Sequence, residues 1–392
     1  MSNEYVAGGP ATDAPAPDRL ADVFRVESVR RDDDRILYLG EPLVGADELE
    51  RRVYPAFREA GYDVRLATVQ DTETDPISGV ELRSRRRALV AQPADGRIDS
   101  VPWTNVVMLA ATVLTTLFAG SVWYYEPLTG PLDLFTGDKW KFSVAVLSVL
   151  AVHELGHYVL SRYHRVNASL PYFIPIPSFI GTLGAVIRMK GRIPDRKALF
   201  DIGVAGPLAG LVAAVVVSAV GLLLPPIAVP ESVLGSANAV EIRFGYPPLL
   251  QFLSTVLDRP LSYADPSRAV NPVVFGGWVG MFVTVLNLLP VGQLDGGHLV
   301  RAMAGDRAET VAALVPAALF GLAGYLYLFT DVGFNAPFLW GFWGVFSLGL
   351  AYMGSADPVF DEPLDAKRMA VGVLTFALGA LCFVPVPFEL MS

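Results

Sequence analysis

The chain has 392 residues, of which 53% are hydrophobic and 18% charged, and its formal net charge is −9. Soluble domains carry about 25% charged residues, so this composition is typical of an integral membrane protein. The acidic balance argues against nucleic acid as a partner, and the single cysteine, Cys382, excludes an internal disulfide and a cysteine metal cluster.

The N-terminal region predicts a tail and a small folded domain. Residues 1–20 are rich in Ala, Pro, Gly and Asp and have no periodicity, which predicts a disordered tail. Residues 21–97 predict a small cytoplasmic, soluble α+β domain without a catalytic constellation. Its predicted strands and helix are Arg35–Leu39, Gly45–Ala60 (helical), Tyr62–Val69 and Arg86–Gln92.

Residues 98–392 predict a membrane-embedded domain. Seven apolar runs approach the ~20 residues that a spanning helix needs. They are Val101–Tyr125, Phe142–Arg162, Leu199–Leu224, Pro272–Leu289, Thr310–Phe329, Phe338–Met353 and Met369–Val386. The fold class is therefore an α-helical multispan membrane protein of about seven transmembrane helices. Arginine and lysine concentrate in alternate loops, which predicts a multi-pass protein of the cell membrane with a cytoplasmic N-terminus.

Leu170–Arg192 is apolar, yet Pro and Gly interrupt it too often for a spanning helix. Such backbone is tolerated at membrane depth only where protein buries it or where it lines a cavity. We therefore expect a re-entrant hairpin beside the second span, with an exposed strand that could pair with an extended substrate segment.

The second span contains an H-E-x-x-H pattern formed by His153, Glu154 and His157. On a helix the two histidines lie one turn apart on one face, roughly 6 Å apart along the axis. This spacing lets two imidazoles hold one Zn²⁺ with the glutamate as general base.

A catalytic zinc ion usually has three protein ligands. Asp295 follows the fourth span at its cytoplasmic end, and His157 precedes Arg162 by about 8 Å of helix, so both reach one membrane depth. Asp295 is the favoured third ligand, and the neighbouring His298 is the alternative. Asn287 serves either as a helix-packing hydrogen bonder or as a substrate or oxyanion contact.

Two other functions use the same residues differently. A multispan transporter would use His153, His157 and Asp295 for protons or metal ions. A catalytically silent scaffold would only bind membrane proteins, although the intact Glu154 argues against it.

The paired motifs resemble the site-2 protease family of intramembrane zinc metalloproteases. The matching residues are His153, Glu154 and His157, and the L-D-G stretch at Leu294–Gly296. Three further stretches resemble the branch that includes the plastid ethylene-dependent gravitropism-deficient and yellow-green proteins: Gly181–Ala185, Pro194–Ala198 and Phe200–Gly210.

The resemblance implies a zinc endopeptidase that cleaves transmembrane protein substrates in the lipid bilayer. It also implies that Asn287, Gly181, Thr182 and Gly184 contribute to substrate binding. Many bacterial members carry a PDZ domain between the catalytic spans. Here the loop Pro225–Asn271 is too short for one.

Overall fold

The computed structural model describes residues 14–32, 35–74, 81–94, 101–189, 192–235 and 241–391. These residues form two compact units. The first comprises the described residues up to Ala94 together with 165–167, Met189 and Arg192, and the second contains the remainder.

In the described part of the first unit, four antiparallel strands lie in the order β1–β2–β4–β3, with one α-helix packed on them. The bounds are β1 Phe24–Asp32, β2 Arg35–Pro42, α1 Ala46–Glu59, β3 Tyr62–Thr74 and β4 Glu81–Pro93. Leu49, Val53 and Phe57 repeat at helical spacing and are buried in the core that α1 forms with the sheet. The small N-terminal sheet domain is thus confirmed.

Two details of this unit differ from the sequence-based expectation. Pro17–Leu20 forms a 3₁₀ helix and Leu20 is only 1% exposed, so the expected disorder does not extend to Leu20. Residues 1–13 of the predicted tail lie outside the described residues. Strand β1 was not predicted, because charged residues interrupt its apolar alternation. The burial of Leu20 was not predicted either, because the residues around it show no apolar periodicity.

The second unit is mostly helical. Its helices are α2 Trp103–Trp123, α3 Lys139–Tyr163, α4 Arg196–Leu223, α5 Glu231–Leu234, α6 Pro248–Leu257, α7 Val273–Asn287, α8 Asp295–Ala304, α9 Arg307–Phe329, α10 Asn335–Met353 and α11 Ala366–Ala380. Among the described residues, five helices are long and apolar enough to cross a membrane, namely α2, α3, α4, α9 and α10.

These five helices coincide with five of the seven predicted spans. The other two predicted spans correspond to α7 and α11, which have 15 residues each. A helix of that length rises only about 22 Å, less than the ~30 Å of bilayer hydrocarbon.

Short strands connect the helices of the second unit. They are β5 Tyr172–Pro175, β6 Thr182–Val186, β7 Ile193–Asp195, β8 Ile227–Ala228, β9 Glu241–Phe244, β10 Arg268–Ala269, β11 Pro358–Phe360 and β12 Phe388–Met391. The pairs β5–β6, β8–β10 and β9–β12 are antiparallel, whereas β7–β11 is parallel.

Protein covers most of helix α7. Every residue from Val273 to Met281 is buried. Small residues allow α3 and α4 to approach α7 closely. A Cβ on Gly276 of α7 would lie 2.5 Å from the Ala145 Cβ of α3, and one on Gly280 would lie 3.0 Å from the Ala214 Cβ of α4. The bundle core therefore consists of α3, α4 and α7.

The β5–β6 hairpin lies along α2. The Asn105 amide donates to the carbonyls of Leu170 and Pro171 at 2.9 Å. Further along α2, the Thr115 hydroxyl donates to the Gly181 carbonyl at 2.6 Å and Trp123 Nε1 donates to the Phe179 carbonyl at 2.7 Å. The hairpin thus follows most of the length of a helix that is long enough to span a membrane.

Candidate metal centre

Helices α3 and α4 pack closely at the position of the two histidines. A Cβ on Gly206 would overlap the His157 imidazole, and a Cβ on Gly210 would lie 2.7 Å from His153 Nδ1. A Cβ on Gly156 would lie 2.6 Å from the Ala205 carbonyl oxygen. Gly206 and Gly210 of α4 therefore form the surface against which the imidazoles rest, and Gly156 of α3 lets the two helices approach.

The two imidazoles are buried and converge. His153 and His157 are 3% and 5% exposed, and their Nε2 atoms are 3.2 Å apart. The Ile202 carbonyl oxygen lies 2.7 Å from His157 Nδ1 and accepts its proton. This bond fixes the tautomer, because it leaves the lone pair on Nε2, which faces His153.

A tight turn between α7 and α8 brings a carboxylate to the same point. Gly292 has φ +55°, and a Cβ on Gly296 or Gly297 would overlap the carbonyls of the preceding turn. Asp295, the first residue of α8, places Oδ2 3.1 Å from His153 Nε2 and Oδ1 3.2 Å from His157 Nε2. Gly292 in the turn and Gly296 and Gly297 at the start of α8 therefore allow the chain to reverse there.

The donor set fits a metal ion. One ligand atom from each of His153, His157 and Asp295 lies within 4.8 Å of the other two. Ligands at ~2.0–2.1 Å in a tetrahedral arrangement are separated by about 3.3–3.4 Å, close to the distances of 3.1–3.2 Å seen here. Among the described residues, His298 does not belong to this cluster, although it is buried.

Glu154 lies beside the cluster and is 4% exposed. The backbone N–H of Ile187, directly after strand β6, lies near its carboxylate. The sequence contained no signal for this contact, because a backbone donor has no side-chain identity.

The remaining predicted site residues lie on two elements. Asn287 ends α7, and its Nδ2 lies 3.2 Å from His153 Nε2. Gly181 and Gly184 adopt φ values of +83° and +108° in the hairpin. The Thr182 hydroxyl donates to the Ile174 carbonyl at 2.9 Å, so it stabilises the hairpin.

Sequence reasoning missed the contacts that orient the histidines. Ile202 acts through its backbone carbonyl, and Gly206 and Gly210 act through the absence of a side chain. The four-residue spacing of these two glycines on an apolar helix was an available signal, since small residues at that spacing mark close helix packing.

Residues 141–323 match the model of Peptidase family M50. The resemblance to intramembrane zinc metalloproteases is confirmed. The M50 segment contains all three residues of the cluster as well as Glu154 and Asn287.

Named relatives agree with this match. "Probable zinc metallopeptidase EGY3, chloroplastic" of Arabidopsis thaliana is 28% identical over 382 residues, which cover 92% of this chain and 62% of the relative. "Probable zinc metalloprotease EGY1, chloroplastic" of the same plant is 36% identical over 50% of this chain and 33% of its own length. The EGY2 protein of Arabidopsis, also named a probable zinc metalloprotease, is 31% identical over 61% of this chain and 40% of its own length.

The chain thus spans 62% of the EGY3 relative. The names place these relatives in chloroplasts, and so they do not support the expected cell membrane or the expected orientation. No solved structure is a significant match.

Proposed function

We propose that the chain is an intramembrane zinc endopeptidase that hydrolyses peptide bonds of transmembrane substrates near the cytoplasmic face. The observation that carries this proposal is the convergence of His153, His157 and Asp295 beside Glu154, on helices of the second unit. The M50 match and the names of the relatives support the same activity.

Zinc is the proposed ion, held by His153, His157 and Asp295. Two imidazoles and a carboxylate, with a fourth position open, are the donor set of catalytic zinc sites. When bound, zinc would polarise a peptide carbonyl and lower the pKa of water to about 7. The Ile202 carbonyl and the glycines of α4 hold the imidazoles so that their lone pairs face this position.

Glu154 is the proposed general base and acid. Its carboxylate takes a proton from the attacking water and passes it to the leaving amine. We expect the nearby Ile187 N–H to donate to this carboxylate and to limit its rotation beside the cluster. We assign the Asn287 amide to the substrate carbonyl oxygen, where an N–H donor stabilises the developing negative charge.

The proposed membrane architecture keeps seven spans and a re-entrant hairpin. Asn105 and Trp123, which both bind the hairpin, are 18 positions apart on α2, or about 27 Å. This distance approaches the ~30 Å hydrocarbon thickness, so the hairpin would reach well into the bilayer. The short helix α7 would cross within the bundle, where no lipid contact sets its length.

The proposed orientation places the N-terminus and the α3–α4 connection on the cytoplasmic side. Arg162, Arg165, Arg188, Arg196 and Lys197 lie at this connection, and the positive-inside rule assigns them to the cytoplasm. His157 is six residues before the end of α3, about 9 Å of helix. Water from the cytoplasmic side would therefore need to pass only about two helical turns to reach His157.

The proposed substrate is a transmembrane segment that unwinds locally, because a helical peptide bond is shielded by its own hydrogen bonds. Strand β6 carries Thr182 and Gly184 and leads to Ile187, whose backbone N–H lies near Glu154. An unwound substrate strand could pair with β6 and so lie beside the general base. Gly181, Thr182 and Gly184 would then act by shaping this strand.

Substitution Glu154→Gln separates the protease from the transporter. We expect the variant to keep zinc and lose cleavage of single-span substrates in proteoliposomes, because the amide cannot accept the proton. Zinc content is measured by mass spectrometry on the same samples. Glu231→Gln, an exposed glutamate outside the cluster, is the matched control and should keep both properties.

Two outcomes would overturn the assignment. Undiminished cleavage by Glu154→Gln, or loss of its zinc, contradicts the role of Glu154. Proton or zinc flux through wild-type proteoliposomes that persists in Glu154→Gln, without cleavage of any substrate, would favour the transporter.

A further inference from the structure

A second polar cluster lies where α3 ends and involves three helices. The carboxylate of Asp201 on α4 accepts two hydrogen bonds from Arg368 of α11, both at 2.8 Å. His164, immediately after α3, places Nε2 3.0 Å from Asp201 Oδ2. Asp365 accepts a further bond from the Arg368 guanidinium at 2.6 Å. We call these residues the Asp201 cluster.

The Asp201 cluster continues the helix pairing seen at the metal centre. Along α3, His153 faces Gly210 and His157 faces Gly206. Beyond the end of α3, His164 faces Asp201. As the α3 number rises the α4 number falls, so all three contacts belong to one antiparallel register. Within this register, His157 donates to the Ile202 carbonyl and Asp201 supplies the charged side-chain partner, whereas the glycine contacts are steric.

That register decides whether the imidazoles fit. Rotation of α4 by one residue turns its surface by about 100° and would present a side chain where a glycine now faces each imidazole. Glycine–imidazole contacts exclude wrong registers but provide little attraction of their own. A bidentate arginine–carboxylate pair is directional as well as attractive, so it can hold one arrangement.

Asp201 also adjoins the group that orients a ligand. The next residue, Ile202, provides the carbonyl that accepts the His157 Nδ1 proton at 2.7 Å. Movement of Asp201 therefore moves this acceptor through one peptide unit. The side chains of Asp201 and His164 are 18% and 17% exposed, so solvent screens their contact less than it would screen a surface pair.

We propose that Asp201, held by Arg368, is a positioning residue that sets the α3–α4 register and thereby the geometry of the two histidine ligands. The inference rests on the proposed function for the identity of the ion. It assigns α11 a role in the site, although α11 contributes no ligand.

The test compares Asp201→Asn, Arg368→Gln and the double variant in the full-length protein. Zinc affinity is measured by competition with a chelator, and the visible spectrum of the cobalt-substituted protein reports ligand geometry. Loss of groups that orient metal ligands typically lowers metal affinity about 10- to 100-fold. We expect a decrease in this range in each single variant, a changed cobalt spectrum, and no further loss in the double variant.

Glu126→Gln is the matched control. Glu126 pairs at 2.8 Å with the buried Lys139 at the opposite end of α3. This substitution removes a comparable ion pair from the same helix without touching α4. Zinc affinity and the cobalt spectrum should remain those of the wild type.

A measurement without metal separates the two proposals. Spin labels at Val159 and Val212, both exposed on α3 and α4, report the helix register in a Cys382→Ala background. We expect Asp201→Asn to shift or broaden this distance distribution in the metal-free protein. A wild type that binds no zinc refutes the proposed metal centre. A zinc-binding wild type whose Asp201 and Arg368 variants keep affinity and distances, or lose them no more than Glu126→Gln, refutes the positioning role.

Discussion

Substitution Gly210→Ala tests whether close packing by α4 positions the first histidine. The added Cβ would lie 2.7 Å from His153 Nδ1, whereas ordinary contacts begin at about 3.4 Å, so the ring must move by about 0.7 Å. Zinc–ligand distances tolerate only about 0.2 Å. Overpacking of this kind also lowers the free energy of unfolding by about 1–3 kcal/mol. We therefore expect zinc affinity to fall at least ~10-fold, and cleavage to fall ~100-fold, because misplacement by 1 Å has effects of that size.

The assay is chelator competition on purified Gly210→Ala, followed by cleavage of the single-span substrates at saturating zinc. Gly324→Ala on α9 is the control, since a Cβ there meets nothing within 4 Å. Wild-type zinc affinity in Gly210→Ala would refute the reasoning, because it would mean that α4 yields without moving the imidazole.

Three further substitutions address the third ligand and the hairpin. Asp295→Asn should lower zinc affinity about 100-fold or more in the chelator assay, because it removes the anionic ligand. His298→Gln should retain zinc, since His298 lies outside the cluster. The opposite pattern would make His298 the ligand. Thr115→Val removes the 2.6 Å hydrogen bond to the Gly181 carbonyl, so cleavage should fall several-fold while the zinc content stays unchanged. Cleavage equal to that of the wild type would show that this hydrogen bond does not hold the hairpin for substrate.

Local patterns predicted those features that one chain segment decides alone. The apolar face of α1, with Leu49, Val53 and Phe57, follows from helical spacing. Five of the predicted spans follow from run length. The spacing of His153 and His157 places both imidazoles on one face of α3, where the structure has them.

Expected depth in the membrane also predicted a contact between residues that are far apart in the chain. Asp295 is 142 positions from His153, yet its position at the end of an apolar run indicated the same side and depth. Topology could not distinguish Asp295 from His298. The α7–α8 turn does so, because its glycines allow the chain to reverse and direct the carboxylate at the histidines.

By itself, then, the sequence determined the helix that carries H-E-x-x-H, the membrane class and the residue types available to a metal. Only the tertiary structure decided that the Ile202 carbonyl orients the His157 imidazole, and why Gly206 and Gly210 lie opposite the two imidazoles. The physical reason is that periodicity records which face of a segment is apolar. It contains no information on which distant backbone meets that face, or how closely.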